Sequence, residues 1–147
     1  METSPVEILL VEDNQNDVEL ALRALKKSGL ANNIFVANDG EEALDFIYCR
    51  NNHENRQPNN PPKVILLDLK LPKVDGLEVL KILKSDEEKK IIPIIVLTSS
   101  NREKDMIESY KLGVNSYIQK PVNFDRFVES VKQIGIYWLL VNQLPVL

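Results

Sequence analysis

The chain has 147 residues, 44% of them apolar and 27% charged, with a net charge of −4. That length fits one domain whose core needs no disulfide or structural metal, and the acidic balance argues against nucleic acid as a partner, which calls for a basic face. No apolar stretch reaches the ~20 residues of a membrane span, residues 1–5 lack the basic start of a signal peptide, and the single Cys49 cannot pair internally, so a cytoplasmic setting without membrane partners is expected.

Residues 6–11, with an apolar run over 8–11, predict a first strand. Asn14 or Asn16 is placed to cap a helix with Val18, Leu22 and Leu25 on one face, stopped at Ser28-Gly29. Residues 33–37 predict a short strand, and Asp39-Gly40 turns into a helix whose inner face is Ala43, Leu44 and Ile47. Residues 50–62, rich in asparagine and proline, predict a solvated loop that places His53, the only histidine, at the surface. Residues 64–69 predict the third strand. Asp75-Gly76-Leu77-Glu78 has the spacing of a capping box, opening a helix with Val79, Leu80 and Leu83. Residues 92–98 predict the fourth strand, with Pro93 near its start, and Ser100-Asn101-Arg102-Glu103 suggests a second capping box. Residues 115–119 predict the fifth strand. Asn123 opens the last helix, with Phe127, Val131, Ile134 and Trp138 at helical spacing. Strands alternating with helices predict an α/β fold, a parallel sheet covered on both faces.

Chemistry-bearing residues stand where these strands end: Glu12-Asp13, Asp68, Thr98 and Lys120-Pro121. Groups at the carboxyl ends of parallel strands converge on the crevice where open α/β sheets bind ligands. Two adjacent carboxylates beside a third repel one another unless something positive sits among them. A hard cation such as Mg²⁺ relieves that repulsion while using few carboxylates; the plainer reading of Glu12-Asp13, a pair favouring the following helix dipole, leaves Asp68 unexplained. An aspartate can act as a nucleophile and form an aspartyl phosphate. Thr98 supplies a hydroxyl donor and Lys120 a positive charge, the needs of phosphoryl transfer.

In type and order these residues resemble the receiver domain of bacterial two-component response regulators, with Thr98 thirty positions after Asp68 and Lys120 twenty-two after Thr98. The resemblance covers residue 6 to about residue 134. It implies a flavodoxin-like doubly wound sheet of five parallel strands in the order 2-1-3-4-5. It implies that Asp68 is the phosphoacceptor for a sensor histidine kinase, and that Glu12, Asp13, Asp68 and the backbone carbonyl of Lys70 hold Mg²⁺, for which Mn²⁺ can substitute. It further assigns Thr98 and Tyr117 as the switch pair and Ser99 as the small neighbour that leaves room for the phosphoryl donor. On this reading the protein catalyses only its own phosphotransfer and dephosphorylation. Lys70 is also placed to overhang the phosphoryl group.

Residues 1–147 read as one receiver, with an extension over about 135–147. Within residues 134–141 every residue but Gly135 is apolar, too many for a helix to bury against its own domain. The Trp138-Leu139 ending and the long 50–62 loop resemble stand-alone regulators that partner phytochrome-type kinases. That resemblance implies a homodimer using Ile136, Tyr137, Trp138, Leu139 and Leu140. The short stretch after Lys120-Pro121 leaves output to an unknown downstream protein. The alternatives are a phosphate sink in a relay and a dimerisation module that never carries phosphate. A haloacid-dehalogenase-type phosphohydrolase would want an aspartate where Lys70 stands, and a flavodoxin-like cofactor binder would want a hydroxyl-rich loop in place of Glu12-Asp13-Asn14.

Overall fold

The computed structural model describes residues 6–29, 33–57, 61–99, 102–120 and 124–135. Five parallel strands run in the order β2-β1-β3-β4-β5, with β1 at Ile8–Val11, β2 at Ile34–Ala37, β3 at Val64–Leu67, β4 at Ile94–Thr98 and β5 at Ser116–Gln119. The helices between them are α1 (Gln15–Ser28), α2 (Gly40–Ile47), α3 (Gly76–Ser85) and α4 (Glu103–Lys111), with α5 (Phe124–Gly135) after the last strand. The expected strand order is therefore observed.

Every residue of β1, β3 and β4 is buried, as central strands covered on two sides require. Alternate residues face opposite layers. Leu9, Val11, Ile65, Leu67, Ile94 and Val96 pack with Phe46 of α2 and Val79, Leu80 and Leu83 of α3. Ile8, Leu10, Val64, Leu66, Ile95 and Leu97 pack with Val18, Ala21, Ala24 and Leu25 of α1, and Val128 of α5 lies against this layer. Alanines let α1 lie close to the sheet, and Leu22 is only partly buried beside them.

Local signals explain most helix ends. Asn14 caps α1 by accepting the Asp17 amide at 3.1 Å, and Gly29 ends it in the left-handed region at φ 66°. Asp39 caps α2 by accepting the Glu42 amide at 2.7 Å. The capping box expected at Asp75 does not form. Asp75 occupies the cap position of α3 but makes no side-chain cap bond and stands exposed, while the Gly76 amide donates to the Leu69 carbonyl at 2.8 Å. The helix mouth is thus tied to the chain leaving β3. Ser100, Asn101 and Asn123 lie outside the described residues. Helix α4 opens at Glu103 behind Arg102, which makes no side-chain cap bond.

Two further expectations need correction. The fourth strand starts at Ile94, because a 3₁₀ turn over Lys89–Ile91 and Pro93 precede it. The 50–62 segment is not simply a solvated loop. It forms a 3₁₀ turn at Asn51–His53, and His53 meets the stacked rings of Phe35 and Phe46 edge-on. Arg56 lays its guanidinium 3.5 Å from the Phe46 ring centroid. Among the residues described, no helix is long and apolar enough to cross a membrane. Residues 136–147, with the expected dimer contacts Ile136, Tyr137, Trp138, Leu139 and Leu140, lie outside the described residues, as do the side chains of Phe127, Val131 and Ile134.

Candidate functional site

The carboxyl ends of β1, β3, β4 and β5 bring Glu12, Asp13, Asp68, Thr98 and Lys120 to one rim of the sheet. Parallel pairing fixes this convergence: Val11 is level with Leu67, Leu67 with Val96, and Thr98 with Gln119. The residue after each strand is therefore delivered to the same edge. The Lys120 amide donates to the Thr98 carbonyl at 2.6 Å, which anchors the lysine beside β4.

Glu12, Asp68, Thr98 and Lys120 are all buried, while Asp13 is exposed at the mouth. One Glu12 oxygen accepts the backbone amides of Asp13 and Asn14 at 3.1 and 3.3 Å. The other accepts a hydrogen bond from the Lys120 ammonium. That ammonium also donates to Asp17 Oδ2 at 2.9 Å and lies 4.0 Å from Asp68 Oδ2. Asp68 Oδ1 is buried and has no hydrogen-bond partner.

Glu12, Asp13 and Asp68 each offer an oxygen, and these oxygens lie within 4.8 Å of one another. Burial pushes the Glu12 carboxyl up to about 7, and the neighbouring Asp68 adds to the rise against the pull of Lys120. Burial by itself would lower the Lys120 ammonium, but its hydrogen bonds to Glu12 and Asp17 and the charges of Glu12 and Asp68 hold it above its ordinary value. The site thus carries a firmly protonated lysine and more carboxylate than that lysine neutralises. An orphaned buried oxygen and an over-acidic cluster of hard oxygen donors fit a divalent cation.

The remaining residues singled out in the sequence take up different positions. Tyr117 is half-buried and packs against the core layer of α2 and α3. Ser99 and the side chain of Lys70 are exposed beside the pocket. His53 and Cys49 belong to the 3₁₀-turn region and not to this rim. Asp17 was not singled out in the sequence, yet it touches the central lysine. Its signal was weak: an acid in the first turn of α1, one helical turn beyond the Glu12-Asp13 pair.

Residues 8–132 match the family described as the response regulator receiver domain. The chain belongs to the response regulator receiver family. This receiver is 41% identical over 141 residues to the probable methanogenesis regulatory protein FilR2 of Methanothrix harundinacea, covering 96% of this chain and 88% of that one. It is 40% identical to the response regulator Rcp1 of Synechocystis, covering 96% and 94%. The Mn²⁺-bound crystal structure of Rcp1 superposes on it with a TM-score of 0.84, covering 96% of this chain and 99% of that one. The crystal structure of the phosphorylated cyanobacterial phytochrome response regulator RcpA gives a TM-score of 0.85 at 40% identity, covering 97% and 99%. The chain is accordingly a response regulator of two-component signalling, a class that works with a histidine kinase, and its acidic rim has the makings of a divalent-metal site.

Proposed function

We propose that Asp68 is the residue of this receiver that accepts the phosphoryl group. One observation carries the assignment: its two oxygens have different surroundings. Oδ1 is buried without a partner, while Oδ2 lies 4.0 Å from the Lys120 ammonium. One oxygen of the carboxylate attacks the phosphorus of a kinase phosphohistidine, the P–N bond breaks, and the imidazole leaves with the electron pair. Glu12, Asp13, Asp68 and the backbone carbonyl of Lys70 would hold Mg²⁺, or Mn²⁺ in its place; the ion, when bound, neutralises charge on the transferring phosphoryl oxygens. Lys120 supplies further positive charge, and its burial makes that charge count for more than it would in water.

The chain supplies positioning and charge for its own phosphorylation and dephosphorylation and turns over no separate substrate. Thr98 is fully buried beside the lysine, where its hydroxyl can move toward a phosphoryl oxygen. Tyr117 stands on the neighbouring strand, half-buried and able to follow into vacated space. This is a local charge change biasing a two-state element. Exposed Ser99 leaves the approach to Asp68 open for the donor. The likeness to Rcp1 and RcpA favours a phytochrome-type histidine kinase as the phosphoryl source, in the cytoplasm. The apolar run of residues 134–141 favours a homodimer, and output then passes to a separate protein.

Incubation with acetyl phosphate and Mg²⁺, followed by intact-mass measurement, tests the central assignment. The wild-type chain gains one phosphoryl group, chelator abolishes the gain, and Asp68→Ala gains none. Phosphorylation of Asp68→Ala at the wild-type rate would discard the assignment.

A further inference from the structure

We infer that Asp17 is the positioning residue for Lys120, a counter-charge outside the acidic cluster that lessens the lysine's hold on Glu12 and Asp68 and so its competition with a metal ion for them. The inference rests on the reading of Glu12, Asp13 and Asp68 as the metal ligands. Three carboxylates surround the ammonium: Glu12 and Asp17 accept hydrogen bonds from it, and Asp68 Oδ2 lies 4.0 Å away. Glu12 and Asp68 are also members of the acidic group whose oxygens come within 4.8 Å of one another, and Asp17 is not. Two of the lysine's partners are thus shared with the ion and one is not.

The lysine side chain is only 8% exposed, whereas that of Asp17 is 37% exposed, so Asp17 holds the ammonium from the solvent side of the pocket. An ammonium has three donors and no acceptor. With Asp17 in place, one donor is fixed toward α1. Without Asp17, the ammonium has only Glu12 and Asp68 to lean on, the oxygens a cation needs. The lysine and the ion then compete directly. The N-cap of α1 does not depend on the Asp17 side chain, because Asn14 accepts the Asp17 backbone amide. The helix start therefore survives a substitution at this position.

The test is a double-mutant cycle read by Mn²⁺ binding, with free ion followed by electron paramagnetic resonance. Asp17→Ala weakens Mn²⁺ binding about three- to tenfold with Lys120 present, within the coupling range of contacting residues, and loses most of that effect in a Lys120→Gln background. Equal weakening in both backgrounds would mean a simple charge effect and overturn the inference, as would no weakening at all. Failure of the wild-type chain to bind Mn²⁺ would overturn the metal site and the inference together, which separates the two. If Lys120→Gln does not fold, ¹⁵N NMR of the Lys120 ammonium with Mg²⁺ bound gives the answer. The signal is sharp in the wild type and lost to exchange in Asp17→Ala; an unchanged signal overturns the inference.

Discussion

Gly76 is the point where α3 presses on the chain segment that carries Asp68, and Gly76→Ala measures that pressure. A Cβ at this position would lie 2.2 Å from the Asp68 carbonyl oxygen, 2.5 Å from Leu69 Cα and 2.8 Å from the Leu69 carbonyl oxygen. Ordinary carbon–oxygen approach is about 3.3–3.6 Å, so the first turn of α3 must retreat by roughly 1 Å. The obstacles are main-chain atoms, which cannot swing aside. Retreat breaks the 2.8 Å bond from the Gly76 amide to Leu69, worth about 1 kcal/mol. It also loosens Val79, Leu80 and Leu83, all fully buried, and overpacking of this kind costs about 1–3 kcal/mol. Alanine returns at most about 1 kcal/mol through its better helix propensity. The net expectation is a loss of about 1–3 kcal/mol, measured by urea denaturation with an unchanged m-value. Gly29→Ala is the control: its Cβ meets nothing within 4 Å, and only the φ of +66° is unfavourable, which costs about 1 kcal/mol. Because the clash falls on the Asp68 backbone, Gly76→Ala also weakens Mn²⁺ binding, whereas Gly29→Ala does not. If Gly76→Ala costs no more than Gly29→Ala, the close-approach reasoning is wrong.

Three further outcomes follow from the same geometry. Glu12, raised by burial to about 7, must shed its proton to bind a cation, so Mn²⁺ affinity rises as pH climbs from the carboxylate range and levels off above about 7; calorimetry in buffers of different ionisation heat detects the released proton, and a flat profile contradicts this. Without cation the sign reverses for stability. The folded state holds that proton more tightly than the unfolded chain, so Glu12's contribution is present below its ordinary 4.5 and is lost as pH rises through about 7. Tyr48→Phe removes the 2.6 Å bond from its hydroxyl to Asp86 at the end of α3 and costs about 1–2 kcal/mol at neutral pH. Asp86 is held below its ordinary 3.8 first by that tyrosine, so the difference between the two proteins disappears in denaturation curves taken as pH falls through the lowered folded value. Leu80→Ala, at a fully buried position under the sheet, costs about 2–5 kcal/mol in the same assay.

The sheet was legible in the sequence because parallel central strands are buried on both faces and read as uninterrupted apolar runs. Ile65, Leu66 and Leu67 point to different layers, yet none can be polar. The pocket was legible because parallel pairing sends the residues after those runs to one rim, so the types of Glu12, Asp68, Thr98 and Lys120 sufficed without coordinates. Asp17 stayed hidden for a physical reason. An acid in a helix's first turn already has a local cause in the dipole, and its partner Lys120 is 103 positions away. The capping box at Asp75 failed in the opposite direction: a sound local pattern was overridden by tertiary contact at Gly76. In the 50–62 segment, polar composition concealed packing, because His53 and Arg56 contribute a ring and a flat guanidinium and not an aliphatic chain.

The link from Lys120 to Glu12 closes the pocket across 108 positions of chain. A ribosome releases the first strand long before the last, so an unfinished polypeptide holds its acids without the ammonium that tames them. On the proposed reading of the pocket, competence to be switched on is reached only when β5 docks. A half-made copy cannot intercept a signal meant for finished ones.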